Sequence, residues 1–144
     1  MTKEELGLLY PITIQPYNPE WKEFFEQEKR LLSSFFSQDL IIEHIGSTAV
    51  AGLMSKPTID ILIERPLSMD DQTIIKIYRK NNYIHMQEQI DHLMFVKGYT
   101  PSGLEDISYH IHMGPLTQNE LWDRIYFRDY LNNNNIYKKD TVVP

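Results

Sequence analysis

The sequence predicts an α+β fold, in which a mixed β-sheet carries helices mainly on one face. In the first half of the chain, segments with strand periodicity alternate with segments of helical periodicity. In the second half, predicted strands between residues 83 and 113 follow one another without an intervening helix. Consecutive strands favour antiparallel pairing, so a doubly wound parallel sheet is the less favoured architecture.

Length, charge and composition limit the class of protein. With 144 residues and 42% hydrophobic content, the chain predicts one domain over residues 1–144, with residues 1–10 frayed and residues 132–144 as a short tail. A net charge of -6 without clustered Lys and Arg argues against general nucleic-acid binding. The absence of cysteine excludes disulfides and thiolate chemistry. No signal-peptide or membrane-spanning stretch is evident, which predicts a cytoplasmic protein without membrane association.

The elements of the first half follow from periodicity. A short edge strand lies between two prolines at residues 12–15. An amphipathic helix then begins after Asn18-Pro19, and its apolar face consists of Trp21, Phe24, Phe25, Leu31, Leu32, Phe35 and Phe36. A strand at residues 40–45, a short helix at 47–54 and a strand at 58–64 complete this half.

The elements of the second half are bounded by capping and stop signals. Ser68 and Asp71 form a capping box that opens a helix, and Asn81-Asn82 end it. Strands are predicted at residues 83–86, 92–97 and 108–113, with a loop at 99–106 that contains a proline and a glycine. Thr117 and Glu120 open the last helix, which the asparagines at 132–135 end.

Asp60 is the first candidate site residue, because an aspartate is disfavoured within a strand. Ile59, Ile61 and Ile63 lie on one face of the predicted strand, so Asp60 points to the other. There it is solvated, paired with a cation such as Lys56, or bound to a metal ion. Oxygen ligands together with phosphate favour Mg²⁺ or Mn²⁺.

Gly46 and Ser47 form a second candidate element at the end of the preceding strand. Glycine allows close backbone approach, and the serine and the following amides offer donors to an anion. The alternative interpretation is an ordinary turn, since Gly-Ser is a common loop dipeptide.

Later parts of the chain add four candidates. His110 and His112 share one face of a strand, as metal ligands, phosphate donors or a base, and their spacing does not choose among these roles. Lys97 at the end of its strand is a candidate phosphate contact. Arg128 on the last helix is another, although an ion pair with Asp129 that docks the helix is the favoured alternative.

A set of motifs runs through most of the chain in a fixed order: HIGSTAV at 44–50, GL at 52–53, KP at 56–57, IDI at 59–61, HIH at 110–112 and FRDYL at 127–131. This set closely resembles the signature of the GrpB-like family, which belongs to the nucleotidyltransferase-fold superfamily. The resemblance covers about residues 12–131.

The resemblance implies a nucleotidyltransferase-like mixed sheet that takes a nucleoside triphosphate or another phosphorylated small molecule, with Mg²⁺ or Mn²⁺. Gly46 and Ser47 would bind the phosphates. Asp60 would bind the metal, and His110 and His112 would line the same cleft. We expect Asp60, His110 and His112 to form the catalytic group, with His112 as a further metal ligand.

Leu62 departs from the superfamily pattern, because it stands where a second acid is usual. Two functions are therefore predicted. The first is metal-dependent transfer of a nucleotidyl group from a nucleoside triphosphate to an acceptor. The second, which Leu62 favours, is a catalytically degenerate module that binds a nucleotide or phosphorylated metabolite without turnover. On this basis, Leu62→Asp is expected to tighten metal binding.

Overall fold

The structure is a computed structural model that describes residues 14–86, 90–100 and 103–134. Its elements in chain order are α1 (Glu20–Ser33), β1 (Ile42–Ile45), a 3₁₀ turn (Ser47–Ala49), β2 (Thr58–Glu64), α2 (Asp71–Lys80), β3 (Ile84–Met86), β4 (Leu93–Thr100), β5 (Gly103–Gly114), α3 (Asn119–Trp122) and α4 (Arg124–Asn133).

The strands form one mixed sheet in the order β1-β2-β5-β4-β3. Only β2 and β5 run parallel, and the other neighbouring pairs are antiparallel. In the parallel pair, Asp60 lies beside His110 and Leu62 beside His112. The predicted mixed sheet is thus confirmed, and its register brings residues that are 50 positions apart in sequence onto neighbouring strands.

The two faces of the sheet differ in character. The face that carries Ile59, Ile61 and Ile63, here called the helix-covered face, packs against α1 and α2 and forms the largest hydrophobic cluster. Full burial of each isoleucine contributes roughly 1.5–3 kcal/mol. The opposite face, which carries Asp60, is here called the site face. The short helices α3 and α4 cover its β1 side, where Leu121 packs on Leu62.

Side chains cap the starts of α2 and α3, but at other residues than predicted. The side chain of Asp70 caps α2 by accepting the amide of Thr73 at 2.8 Å. Ser68 lies before it in a left-handed conformation with φ 59°, so the predicted capping box is wrong. Gln118, not Thr117, caps α3 by accepting the amide of Glu120 at 3.0 Å.

The predicted loop at residues 99–106 is wrong for its described part. The backbone of residues 99–100 continues β4, that of residues 103–106 belongs to β5, and Tyr99 pairs with Leu104. A shift in register between Lys97 and Tyr99 lets the ladder continue, and Gly98 with φ +97° occupies this irregularity. A side chain at Gly98 would meet the carbonyl oxygen of Ile107 at 2.6 Å.

The remaining predictions concern the last helix, the first strand and the two ends of the chain. The last helix is interrupted at Asp123, which separates α3 from α4. Of the predicted strand at residues 12–15, only residues 14 and 15 are described, and Gln15 forms an isolated bridge with Ser55. Residues 1–10 and most of the predicted tail lie outside the described residues. Over the described ranges, no helix has the length and apolar character that crossing a membrane requires.

Candidate functional site

Asp60 and two histidines meet on the site face. The Oδ1 atom of Asp60 lies 3.5 Å from Nδ1 of His110 and 3.9 Å from Nε2 of His112. The pairing of β2 with β5 places Asp60 beside His110. Because alternate residues of a strand share a face, His112 lies on the same face as His110. The side chain of His112 is 8% exposed, that of Asp60 13% and that of His110 16%.

Gly46 brings the Gly-Ser turn against the same carboxylate. Its φ of +75° lies in the region that disfavours residues with a side chain. A Cβ atom at this position would lie 2.5 Å from Oδ2 of Asp60. Only glycine therefore fits where the backbone passes the carboxylate, and Gly46 is part of the site.

The hydroxyl of Ser47 does not point outward. The side chain is buried, and its hydroxyl is hydrogen-bonded to that of Ser55. The first hydrogen bond of the 3₁₀ turn is donated by the amide of Ala49 to the carbonyl of Gly46 at 3.1 Å. Ser47 thus stabilises the turn through its side chain, and its predicted contact with phosphate is left to its backbone amide.

The charge state of Asp60 follows from its neighbours. Burial raises the pKa of the Asp60 carboxyl, but its interactions with His112, His110 and Lys56 lower it by more, so the pKa lies below its usual value. At neutral pH the site therefore carries a buried carboxylate, held by imidazoles on one oxygen and next to Gly46 on the other.

His44, which opens the HIGSTAV motif, faces the helix-covered side. Its ring stacks on Phe25 with centroids 4.9 Å apart, and its Nε2 lies 2.9 Å from Oγ1 of Thr48. Burial lowers the pKa of His44 to about 4, although the charge of Asp60 raises it, and Arg128 lowers it further. His44 is consequently a neutral structural residue.

We expect His44 to make folding stability dependent on pH. The unfolded imidazole has a pKa of about 6.5 and the folded one about 4, so the folded state binds fewer protons between these values. The contribution of neutral His44 to the free energy of unfolding is fully present above about pH 6.5. It decreases as the pH falls, and about 3 kcal/mol of it is lost at pH 4. Urea unfolding at several pH values should show this decrease in the wild type and a smaller one in His44→Gln. Equal decreases in both proteins would contradict the assignment.

Lys97 does not belong to the site, and the prediction that it contacts phosphate there is wrong. Its alternation along β4 places it on the helix-covered face, across from Tyr109. Its Nζ lies 2.7 Å from Oε1 of buried Glu28 and 3.2 Å from the hydroxyl of Tyr83. Lys97 therefore neutralises a carboxylate on the face opposite to Asp60.

Arg128 docks α4 onto β1. One of its terminal nitrogens, Nη1, donates to the carbonyl of His44 at 3.0 Å and lies 3.4 Å from Oε2 of Glu43, while its Nε lies 2.9 Å from Oδ1 of Asp129. These contacts support the docking interpretation over a phosphate-binding one.

His92 was missed by the sequence analysis. Its Nε2 lies 2.9 Å from Nδ1 of His112, and both side chains are buried. It stands directly before β4 with the same alternation as Met94, which is paired with His112. A single histidine ahead of a strand gives no signal in the sequence, because the contact depends on the pairing of β4 with β5.

The candidate site contains one carboxylate for a cation, that of Asp60. Among the residues that the structure describes, no three or more His, Asp or Glu side chains are grouped closely enough to hold a metal ion by themselves. Mg²⁺ commonly takes one or two protein carboxylates and completes its shell with substrate phosphates and water. The residues present fit a site in which Asp60 is the protein ligand and substrate phosphates and water complete the shell.

Comparison with known proteins places these motifs in a family. The family model described as "GrpB protein" matches residues 11–140. The chain belongs to the GrpB family. A UPF0157 protein of Pseudomonas aeruginosa is 35% identical to this GrpB-family chain over 125 residues, which are 85% of the chain and 50% of the relative. A UPF0157 protein of Halalkalibacterium halodurans is 34% identical over 128 residues, which cover 86% and 62%. The chain thus spans about half to two thirds of these relatives.

Solved structures support the fold of this GrpB-family chain. The conserved protein GrpB from Enterococcus faecalis has a TM-score of 0.75 and 27% identity, and the match covers 88% of this chain and 78% of that one. The Cid1 poly(U) polymerase, in a structure described as MgGTP bound, has a TM-score of 0.56 and 15% identity, with 87% of this chain and 41% of that chain covered. The fold is therefore nucleotidyltransferase-like, as the sequence predicted.

Proposed function

We propose that the chain binds a nucleoside triphosphate with a divalent cation at Asp60 and transfers the nucleotidyl group to an acceptor. The observation that carries the proposal is the convergence of Asp60, His110 and the Gly46 turn at one place on the site face. Cid1 structures of the same fold, described as bound to MgGTP and MgATP, support a nucleotide as the ligand.

The ligand chemistry follows from the donors present. Asp60 remains ionised and supplies one oxygen ligand, and triphosphate oxygens supply others. Either Mg²⁺ or Mn²⁺ suits such an oxygen-rich shell. When bound, the cation stabilises negative charge on the phosphate oxygens during transfer.

The residues of the chain have separate roles in this reaction. The missing side chain at Gly46 lets the turn lie directly against the carboxylate of Asp60. The triphosphate then binds beside the backbone amide of Ser47. The acceptor hydroxyl forms a bond to the α-phosphorus, the bond from that phosphorus to the leaving oxygen breaks, and pyrophosphate departs with the electron pair. His110, the more exposed imidazole, takes up the hydroxyl proton.

A second candidate function is binding without turnover. Leu62 favours it, because this residue is fully buried against Ile45 and Leu121 instead of supplying a second acid. In both functions the same nucleotide and cation occupy the site, so only the chemical step distinguishes them.

Replacement of the carboxylate tests both candidates. We expect Asp60→Asn to weaken binding of Mn²⁺ with ATP or GTP at least about tenfold, or about 1.4 kcal/mol, because the protein ligand of the cation is lost. Isothermal titration calorimetry measures the affinity. The exposed acid Asp39, changed to asparagine, is the control with the same change of charge.

Release of pyrophosphate from a panel of triphosphates and acceptor alcohols then separates transfer from binding. Binding without release selects the second candidate. Equal affinity in the wild type and Asp60→Asn, or no binding of any nucleotide by the wild type, would refute the proposed site.

A further inference from the structure

A third histidine stands behind His112. Nε2 of His92 and Nδ1 of His112 are separated by 2.9 Å, and the two residues are only 8% and 6% exposed. At this distance one proton lies between the two nitrogens, so one ring donates and the other accepts. The direction of this hydrogen bond decides which nitrogen of neutral His112 carries its own proton.

Asp60 settles the direction. A carboxylate only accepts hydrogen bonds, and Oδ1 of Asp60 faces Nε2 of His112 at 3.9 Å. A lone pair on that nitrogen would face a negative oxygen in a buried setting, which is unfavourable. The proton of neutral His112 therefore belongs on Nε2, which leaves Nδ1 to accept.

We propose that His92 is a positioning residue that, together with Asp60, fixes the tautomer of His112 by donating its Nε2 proton to His112 Nδ1. His92 then donates to His112, and the protonated Nε2 of His112 faces the carboxylate of Asp60 at 3.9 Å. The role of this order in the site rests on the proposed function, whereas the tautomer itself is a property of the protein alone.

The arrangement gives His112 a different role from the one expected from the sequence. An imidazole whose Nε2 carries a proton is a hydrogen-bond donor and has no lone pair for a cation on that side. His112 is then an orienting partner of the ligand carboxylate, in the way that outer-shell groups orient metal ligands. Asp60 is held in place through one oxygen, and His92 supports this hold from the neighbouring strand.

Nitrogen-15 NMR of labelled histidines tests the tautomer directly, in metal-free protein at about pH 8, where ordinary imidazoles are neutral. We expect the wild type to show a protonated Nε2 and an unprotonated Nδ1 at His112. His92→Gln keeps a donor near the original Nε2 and should preserve this signature. His92→Leu removes the donor and should shift the His112 nitrogens towards mixed tautomers. A protonated Nδ1 in the wild type, or an unchanged signature in His92→Leu, would overturn the proposal.

Isothermal titration calorimetry with Mn²⁺ and ATP tests whether the hydrogen bond from His92 affects ligand binding. We expect His92→Leu to bind about threefold more weakly than the wild type and His92→Gln to bind like the wild type. Loss of a partner in direct contact with a metal ligand costs about tenfold or more, and the effect here is smaller because His92 acts through His112. A loss of affinity that is equal in both variants would show a merely structural role and contradict the positioning one. If the wild type binds no nucleotide, the proposed function fails, and the NMR signature still decides the tautomer.

Discussion

Leu62→Asp is expected to destabilise the folded protein by about 4 kcal/mol or more, because it removes packing and buries a carboxylate. The Leu62 side chain is fully buried and clusters with Ile45 and Leu121, where α3 covers the sheet. Its neighbour across the strands, His112, already faces Asp60. The midpoint of urea unfolding measures the loss.

This result would replace the expectation that an acid at position 62 tightens metal binding. Leu62→Met, which nearly conserves volume, should cost less than about 1.5 kcal/mol. Leu62→Asn has the shape of the aspartate without its charge, and the difference between the two variants isolates the charge. A stable Leu62→Asp protein that binds Mn²⁺ more tightly would show that position 62 opens into the site.

Lys97→Met is expected to cost about 3 kcal/mol of folding stability, because it leaves the buried carboxylate of Glu28 without its cation. Glu28 is only 5% exposed and also accepts a hydrogen bond from the hydroxyl of Tyr83. Burial, together with the charge of Glu28, raises the pKa of Tyr83, so this hydroxyl remains a donor. Lys97 also lies over the rings of Tyr83 and Tyr109, at 4.7 Å and 4.9 Å from their centroids.

Two controls separate this effect from a role in binding. The double variant Glu28→Gln with Lys97→Met should recover much of the loss, because no charge is then left unpaired. Exposed Lys76→Met should change stability by less than about 0.5 kcal/mol. Nucleotide affinity should be unchanged in folded Lys97→Met. A stable variant that has lost nucleotide affinity would instead return Lys97 to the binding site.

The sequence predicted the two faces of β2 and the ends of two helices, which depend on residue spacing within one element. The alternation of Ile59, Asp60 and Ile61 assigned each residue to its face of the sheet, and β2 has the predicted bounds. Helix stops at Asn81 and after Asn133 were also correct to within a residue or two. The convergence of Asp60 with His110 was anticipated through the family resemblance, since no spacing links two residues 50 positions apart.

The sequence could not predict what depends on the register between strands. Lys97 and His110 each belong to a strand with clear alternation, but only the pairing of β4 with β5 shows that they point to opposite faces. The same pairing brings His92 next to His112. The loop predicted at residues 99–106 failed because Gly98 and the shift of register there let the two strands stay paired.

The main hydrophobic core and the candidate site thus lie on different faces of one sheet. The helix-covered face holds the main core and the Glu28–Lys97 pair. The site face holds Asp60, His110 and His112 beside the Gly46 turn. Variants on the first face should alter the free energy of unfolding, as should variants of Leu62 under α3, whereas variants of Asp60 should alter ligand binding.

The most direct test of the proposed site is a crystal structure with Mn²⁺ and an ATP analogue whose α,β-bridge resists cleavage. The account predicts an anomalous manganese peak at coordination distance, about 2 Å, from a carboxylate oxygen of Asp60, with the triphosphate beside the Gly46 turn. Manganese bound without Asp60, or a triphosphate on the helix-covered face, would contradict it.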